Sequence, residues 1–209
     1  MIVPPDLSVE ERLWQAGLTR VAGIDEAGRG ALAGPVSAAA VVLPPDPSIA
    51  HHLAGLRDSK QMTPLQRDRL APLIKTTALA WKVAFCSAEE IDRLGILPAT
   101  RLAAQRALDA LAVRPEYLIT DFLLLTESPL PQTALVKGDQ RCLSIAAASV
   151  LAKTARDALM RELDEEYPTY GFSRHKGYGT LQHRNTVARL GRCAIHRKSF
   201  SIKTTRGRI

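Results

Sequence analysis

The chain is 209 residues long and 46% hydrophobic, with 28 lysines and arginines, 21 aspartates and glutamates, and a formal charge of +7. That length fits one domain or slightly more, the apolar content excludes a disordered chain, and three cysteines exclude a disulfide scaffold. The charge is unevenly placed: Tyr167–Ile209 holds ten basic residues and no acid, whereas the first 166 residues hold 18 basic and 21 acidic residues, a net −3. A near-neutral body with a basic end points to a polyanion, nucleic acid above all.

In chain order, residues 1–23 mix Pro4, Pro5, Asp6, Glu10, Glu11 and Arg12 with scattered apolar residues. No basic start leads into an apolar core, so no secretory signal and a cytoplasmic location are expected. Ser8–Gln15 predicts a short helix with Ser8 as its cap. Arg20–Glu26 reads as a strand closed by the glycines of Ala27-Gly28-Arg29-Gly30, and Ser37–Leu43 as a second strand ended by Pro44 and Pro45. Thr63 before Pro64 predicts a helix start, Ala78–Cys86 a third strand, and Ser87 with Glu90 a capping box for a helix stopping near Gly95. A helix is expected over Pro98–Ala112, short strands over Tyr117–Thr120 and Ala134–Val136, a long helix over Ser144–Glu166 and another over Thr180–Arg189. The apolar stretches Ala31–Pro45 and Ile145–Ala152 are too short to span a bilayer, so no membrane association is expected. Cys86, Cys142 and Cys193 are widely spaced and read as reduced thiols. Strands followed by helices predict an α/β domain around one mixed sheet.

Three predicted strands run into carboxylates: Asp25-Glu26, Asp121, and Asp139 after Lys137-Gly138. Any one aspartate can be a cap or turn residue, and for Asp139 alone that is the better reading. As a set, acids at the ends of apolar strands need compensation, and they can converge outside the strand ends of an open α/β sheet. Oxygen donors without a Cys/His cluster point to Mg²⁺ or Mn²⁺, and with a polyanion-binding end to a two-metal phosphoryl-transfer site. Asp25 and Glu26 are adjacent and face opposite ways on a regular strand, so both serve one site only if the backbone turns there. The Gly28-Arg29-Gly30 turn makes that plausible, and its glycines let a ligand backbone approach closely.

These residues resemble the ribonuclease HII family. The resemblance rests on Gly23-Ile24-Asp25-Glu26-Ala27-Gly28-Arg29-Gly30 with Leu32-Ala33-Gly34-Pro35-Val36 behind it. It continues through Asp58-Ser59-Lys60, Lys137-Gly138-Asp139, Ile145–Ser149, Ala152-Lys153, Arg156-Asp157, His175–Thr180, His183 and His196–Phe200, covering about Val21 to Phe200. It implies a ribonuclease H-like mixed sheet flanked by helices, with a catalytic core over 1–166 and a helical, basic, substrate-binding segment over 167–209. The implied activity is metal-dependent endonucleolytic cleavage of RNA in RNA–DNA hybrids, and cleavage 5′ of single ribonucleotides in duplex DNA, leaving 3′-OH and 5′-phosphate ends. The family's four catalytic, metal-holding carboxylates fall on Asp25, Glu26, Asp121 and Asp139. Its ribonucleotide-sensing turn falls on Gly28, Arg29 and Gly30, and its junction tyrosine on Tyr178.

Lys137, Lys153, Arg156 and the basic end are expected to meet phosphates without reading sequence. Asp157 reads equally as a supporting residue or a helix-surface acid, and His175, His183 and His196 as phosphate contacts or packing. The chain departs from the family in having Ala31 where proline is usual and Phe122 beside the third aspartate where glycine is usual. Arg29 and the short stretch before the first motif fit ribonuclease HII better than ribonuclease HIII, which usually has lysine at that position and an extra N-terminal domain. A monomer is expected. Two other readings compete: a different two-metal nuclease of similar fold, such as a junction resolvase or exonuclease, and a catalytically silent hybrid-binding module that Phe122 makes conceivable.

Overall fold

The computed structural model describes residues 4–121, 123–204 and 207–208. Its centre is a five-stranded mixed sheet of β1 (Val21–Ala27), β2 (Val36–Val42), β3 (Ala80–Cys86), β4 (Tyr117–Asp121) and β5 (Gln132–Leu135), in the order β3-β2-β1-β4-β5. The first three strands form an antiparallel meander, while β1, β4 and β5 run parallel. The C-terminal ends of those three parallel strands therefore lie side by side.

The helices are α1 (Ser8–Gln15), α2 (Ile49–His52), α3 (Pro64–Thr77), α4 (Ala88–Leu94), α5 (Ile96–Asp109), α6 (Leu143–Glu166), α7 (Phe172–His175) and α8 (Leu181–Leu190). Thr63 with Gln66 and Ser87 with Glu90 both form the reciprocal bonds of a capping box. Ser8 does not cap α1: Leu7 occupies that position, and the Ser8 amide donates to the Asp6 carboxylate at 2.9 Å. The four-residue helices α2 and α7 are too short to carry a periodic signal.

Alternation along β2 divides the core. Ala39 and Val41 pack with α3 and α6 on one face, and Ala38, Ala40 and Val42 pack with α5 on the other. Helix α6 sits unusually close to the sheet. A Cβ at Gly23 would overlap the backbone of Ser144 and Ile145, so only glycine lets the start of α6 rest on β1, two residues before Asp25. That helix start has no cap of its own. Glu10 of α1, 1% exposed, supplies one from a distance: its Oε1 accepts from the Ser144 amide at 2.8 Å and from the Cys142 thiol at 3.0 Å.

The residues after α6 fold back onto the loop that follows β1. Tyr178 bridges Ala31, His196 bridges Ala33, and Tyr170, Phe172, Val187 and Ile202 close a small cluster over Ala33 and Met160. Among the described residues no helix is long and apolar enough to cross a membrane.

Gly23→Ala is expected to destabilise the protein by about 2 kcal/mol or more, the cost of overpacking against backbone that cannot yield. Denaturant unfolding checks this; a change below about 0.5 kcal/mol would show that α6 is free to lift off β1.

Candidate active site

The parallel strands deliver three acids to one place. Asp25 lies near the end of β1, Asp121 ends β4, and Asp139 sits in the tight turn Gly138–Gln140 that follows β5. One carboxylate oxygen from each lies within 4.8 Å of the other two. The turn is tied to β4 by the Gly138 amide, which donates to Asp121 Oδ1 at 2.8 Å. Asp25 Oδ1 accepts from the Glu26 amide at 2.7 Å, while its buried Oδ2 has no hydrogen-bond partner within 3.5 Å among the described residues.

Asp25 and Asp139 are each only 3% exposed. Burial, then the charges of Glu26 and Asp121, hold the Asp25 carboxyl well above the usual carboxylate range. Burial, then the charges of Asp58 and Asp121, push Asp139 up to about 7, against the opposing pull of Lys60. A buried oxygen without a donor, among carboxylates that oppose one another's ionisation, is a donor set that fits a hard divalent cation.

Asp58 and Lys60 also stand at this centre, and sequence reasoning gave neither a role although their motif was visible. Asp58 is buried; its carboxylate accepts from the Lys60 amide at 2.9 Å and from Gln140 Nε2 at 3.4 Å, tying residues 58–60 to the Asp139 turn. The exposed Lys60 ammonium lies 3.9 Å from Asp139 Oδ2.

Glu26 is not one of the three acids whose oxygens lie within 4.8 Å of one another, but it lines one small cavity together with Asp25 and Asp121. The β1–β2 ladder continues through Asp25↔Ala39 and Glu26↔Ala38 to Ala27↔Ser37, so the strand runs on past both acids and they border the cavity without a turn between them. They keep the alternation of a regular strand: Asp25 shares a face with Ala39 toward α6, and Glu26 shares the opposite face with Ala38 toward α5. Arg29 holds the Glu26 carboxylate at 3.1 Å. Burial raises the Glu26 pKa, with Arg29 working against it.

The Gly28–Gly30 turn comes immediately afterwards. Gly28 has φ +96° and its missing Cβ makes room for the Arg156 guanidinium. Gly30 is different: it is exposed, its φ is unremarkable, and a Cβ there would meet nothing within 4 Å. Among the described residues nothing requires glycine at position 30. Tyr178, half-buried, pairs across from Ala31, with Lys153 Nζ and Arg156 Cζ each 5.3 Å from its ring centroid.

Lys153 and Lys137 differ in setting. Burial lowers the Lys153 pKa, and its ammonium bonds Asp157 at 2.6 Å. Asp157 is buried and also pairs with Arg67 at 3.2 Å, so it is a strut between α3 and α6 rather than a helix-surface acid. Lys137 is exposed beside Asp139 in a left-handed conformation, φ 55°. Phe122 lies outside the described residues.

The three histidines are packing groups. His175 stacks on His183 at 4.2 Å, and His183 Nε2 lies 3.1 Å from His196 Nε2. His196 Nδ1 accepts from the Cys193 amide at 3.0 Å, so its Nε2–H donates to His183, whose Nδ1–H donates to the Tyr178 carbonyl at 3.0 Å. Both rings must be neutral for this chain of bonds, and burial pushes both down to about 4.

Comparison with known proteins gives a consistent answer. The family model described as Ribonuclease HII matches residues 22–203. The chain is 53% identical to ribonuclease HII of Syntrophotalea carbinolica, covering 93% of this chain and 91% of that one. It is 52% identical to ribonuclease HII of Moorella thermoacetica, with 91% of each chain covered. The crystal structure of ribonuclease H2 from Pyrococcus horikoshii superposes with a TM-score of 0.71 at 26% identity, covering 87% of this chain and 93% of that one.

The histidine chain makes a pH prediction. With folded values near 4 against 6.5 unfolded, each ring contributes stability that is present above pH 6.5 and lost as pH falls through 4. The stability advantage of the wild type over His196→Asn is therefore expected to shrink steadily between about pH 7 and pH 4, measured by denaturant unfolding of both proteins. A constant difference across that window would mean that His196 titrates normally in the fold.

Proposed function

Because the chain belongs to the ribonuclease HII family, and is thus a ribonuclease H hydrolase acting on the RNA of RNA–DNA hybrids, we propose that it also cuts 5′ of single ribonucleotides embedded in duplex DNA. The proposed reaction is two-metal phosphodiester hydrolysis with Mg²⁺ or Mn²⁺, leaving 3′-OH and 5′-phosphate ends. The observation that carries it is the convergence of the buried Asp25 and Asp139 with the half-buried Asp121 at the ends of three parallel strands.

Those three carboxylates, with Glu26 as the fourth acid beside them, would hold the cations. Cations held there would supply a lowered pKa for the attacking water and counter-charge for the phosphate and leaving oxygen. The protein's own groups do the rest. Arg29 restrains Glu26 and stands in the turn next to it. The backbone of Gly28–Gly30 approaches the 2′-hydroxyl, with Gly30 leaving the space that a sugar needs. Tyr178, supported from below by Lys153 and Arg156, offers its ring to the neighbouring deoxyribose. Lys137 is free to meet phosphate, whereas Lys153 shares its charge with Asp157.

The test is cleavage of three matched duplexes, one a long RNA–DNA hybrid, one with a single ribonucleotide and one all DNA, each with Mg²⁺, Mn²⁺ or EDTA. Cleavage of the first two in metal alone, with the all-DNA duplex intact, is the expected result; cutting of all-DNA duplex would instead favour a general nuclease of similar fold. Asp25→Asn should lose turnover by a factor of 10³ or more, an order of magnitude appropriate to removing a central metal ligand, while hybrid binding persists. Tyr178→Ala should lose cleavage at single ribonucleotides more than cleavage within long hybrids; equal losses would deny the tyrosine a junction role.

A further inference from the structure

Arg156 and Arg197 are the largest fully buried side chains, both 0% exposed, and neither guanidinium is paired with a carboxylate among the described residues. Arg156 donates to the carbonyls of Pro35 (2.8 Å), Lys176 (2.9 Å) and Ala33 (3.2 Å). Arg197 donates to those of Gly34 (3.0 Å), Arg29 (2.9 Å) and Gly28 (2.8 Å). Five of the six acceptors fall within residues 28–35. Two neighbouring buried cations without a counter-ion are an expensive way to fill a core, and apolar side chains of similar volume would be cheaper. What they confer is geometry, since a planar fork of donors fixes the direction of every carbonyl it binds.

That direction has a consequence on the other side of the turn. A trans peptide is planar, so the N–H that follows a carbonyl points the opposite way. With the Gly28 and Arg29 carbonyls drawn inward onto Arg197, the amides of Arg29 and Gly30 face away from it, toward the side on which Gly30 is exposed. Neither amide donates to another described residue. The turn thus presents two adjacent, oriented donors beside an empty Cβ position.

We propose that Arg197 is the positioning residue for ribonucleotide discrimination: by holding the carbonyls of Gly28 and Arg29 it aims the amides of Arg29 and Gly30 at the 2′-hydroxyl oxygen of the substrate. The proposal rests on the reading of this turn as the ribonucleotide sensor. Arg197 touches no substrate itself, and it is fixed in place from outside the site. Asp92 of α4 accepts from the Lys198 amide (2.8 Å), the Ser199 amide (2.8 Å) and the Ser199 hydroxyl (2.6 Å), clamping the chain directly after it.

The experiment measures affinity for a single-ribonucleotide duplex and for the all-DNA duplex of the same sequence, in Mg²⁺ and in an Asp25→Asn background that prevents cleavage. The parent should prefer the ribonucleotide. Arg197→Lys keeps a cation but cannot span three carbonyls; it should cut that preference by about tenfold or more, with affinity for all-DNA duplex unchanged within about twofold. An unchanged preference, or a parallel fall in both affinities, overturns the proposal. If Arg197→Lys fails to fold by thermal unfolding, Asp92→Ala replaces it, with a smaller loss of preference expected and no loss contradicting the proposal. Gly30→Ala separates the two layers of the argument. Its methyl meets nothing within 4 Å among the described residues, so it should fold and lose the preference by obstructing the sugar. Retained preference there, or none in the parent, overturns the sensor reading itself; lost preference in Gly30→Ala with retained preference in Arg197→Lys overturns only the role of Arg197.

Discussion

Asp25, Asp121 and Asp139 crowd their oxygens within 4.8 Å of one another, desolvation and like charge both oppose ionisation of the buried Asp25 and Asp139, and a divalent cation is the counter-charge that resolves the conflict. Much of the fold serves to maintain that arrangement. Parallel pairing of β1, β4 and β5 brings three strand ends together. Gly23 lets α6 press on β1 just before Asp25, and Glu10 satisfies the start of that helix from another element. The Gly138 amide binds Asp121 and so fixes the turn that carries Asp139. An apolar residue in place of any one acid would relieve the repulsion and remove the reason for the site.

The strands leading into acids were legible because an apolar run that stops at a carboxylate is costly unless something compensates it. The capping boxes at Thr63 and Ser87 were legible for the same local reason, since their partners lie three residues away. What was not legible depends on partners remote in sequence. Ser8 looked like a cap until Asp6 took the bond, and Glu10 serves a helix 134 residues further on. That β1 runs on past Asp25 and Glu26 was not legible either, because pairing with β2 decides where the strand ends, not the glycines that follow. Asp157 read as a possible surface acid because only tertiary packing places Arg67 against it.

The basic C-terminal segment shows how composition misleads in detail. Its ten cations imply an extended phosphate-binding surface, yet Arg197 is wholly buried and Arg192 donates to the carbonyls of Arg197, Lys198 and Phe200. Its histidines form a neutral, bonded stack that ends on the Tyr178 carbonyl. Much of this segment's polarity is thus directed inward. It braces the Gly28–Gly30 turn and the tyrosine opposite.

The claim on which everything else rests is that the three clustered carboxylates exist to hold metal. Anomalous diffraction from crystals soaked in Mn²⁺ tests it most directly. The account predicts a peak bonded to oxygens of Asp25, Asp121 and Asp139 at about 2.0–2.3 Å, typical of a hard cation on carboxylates. A manganese peak elsewhere, with these three side chains unligated, would contradict it.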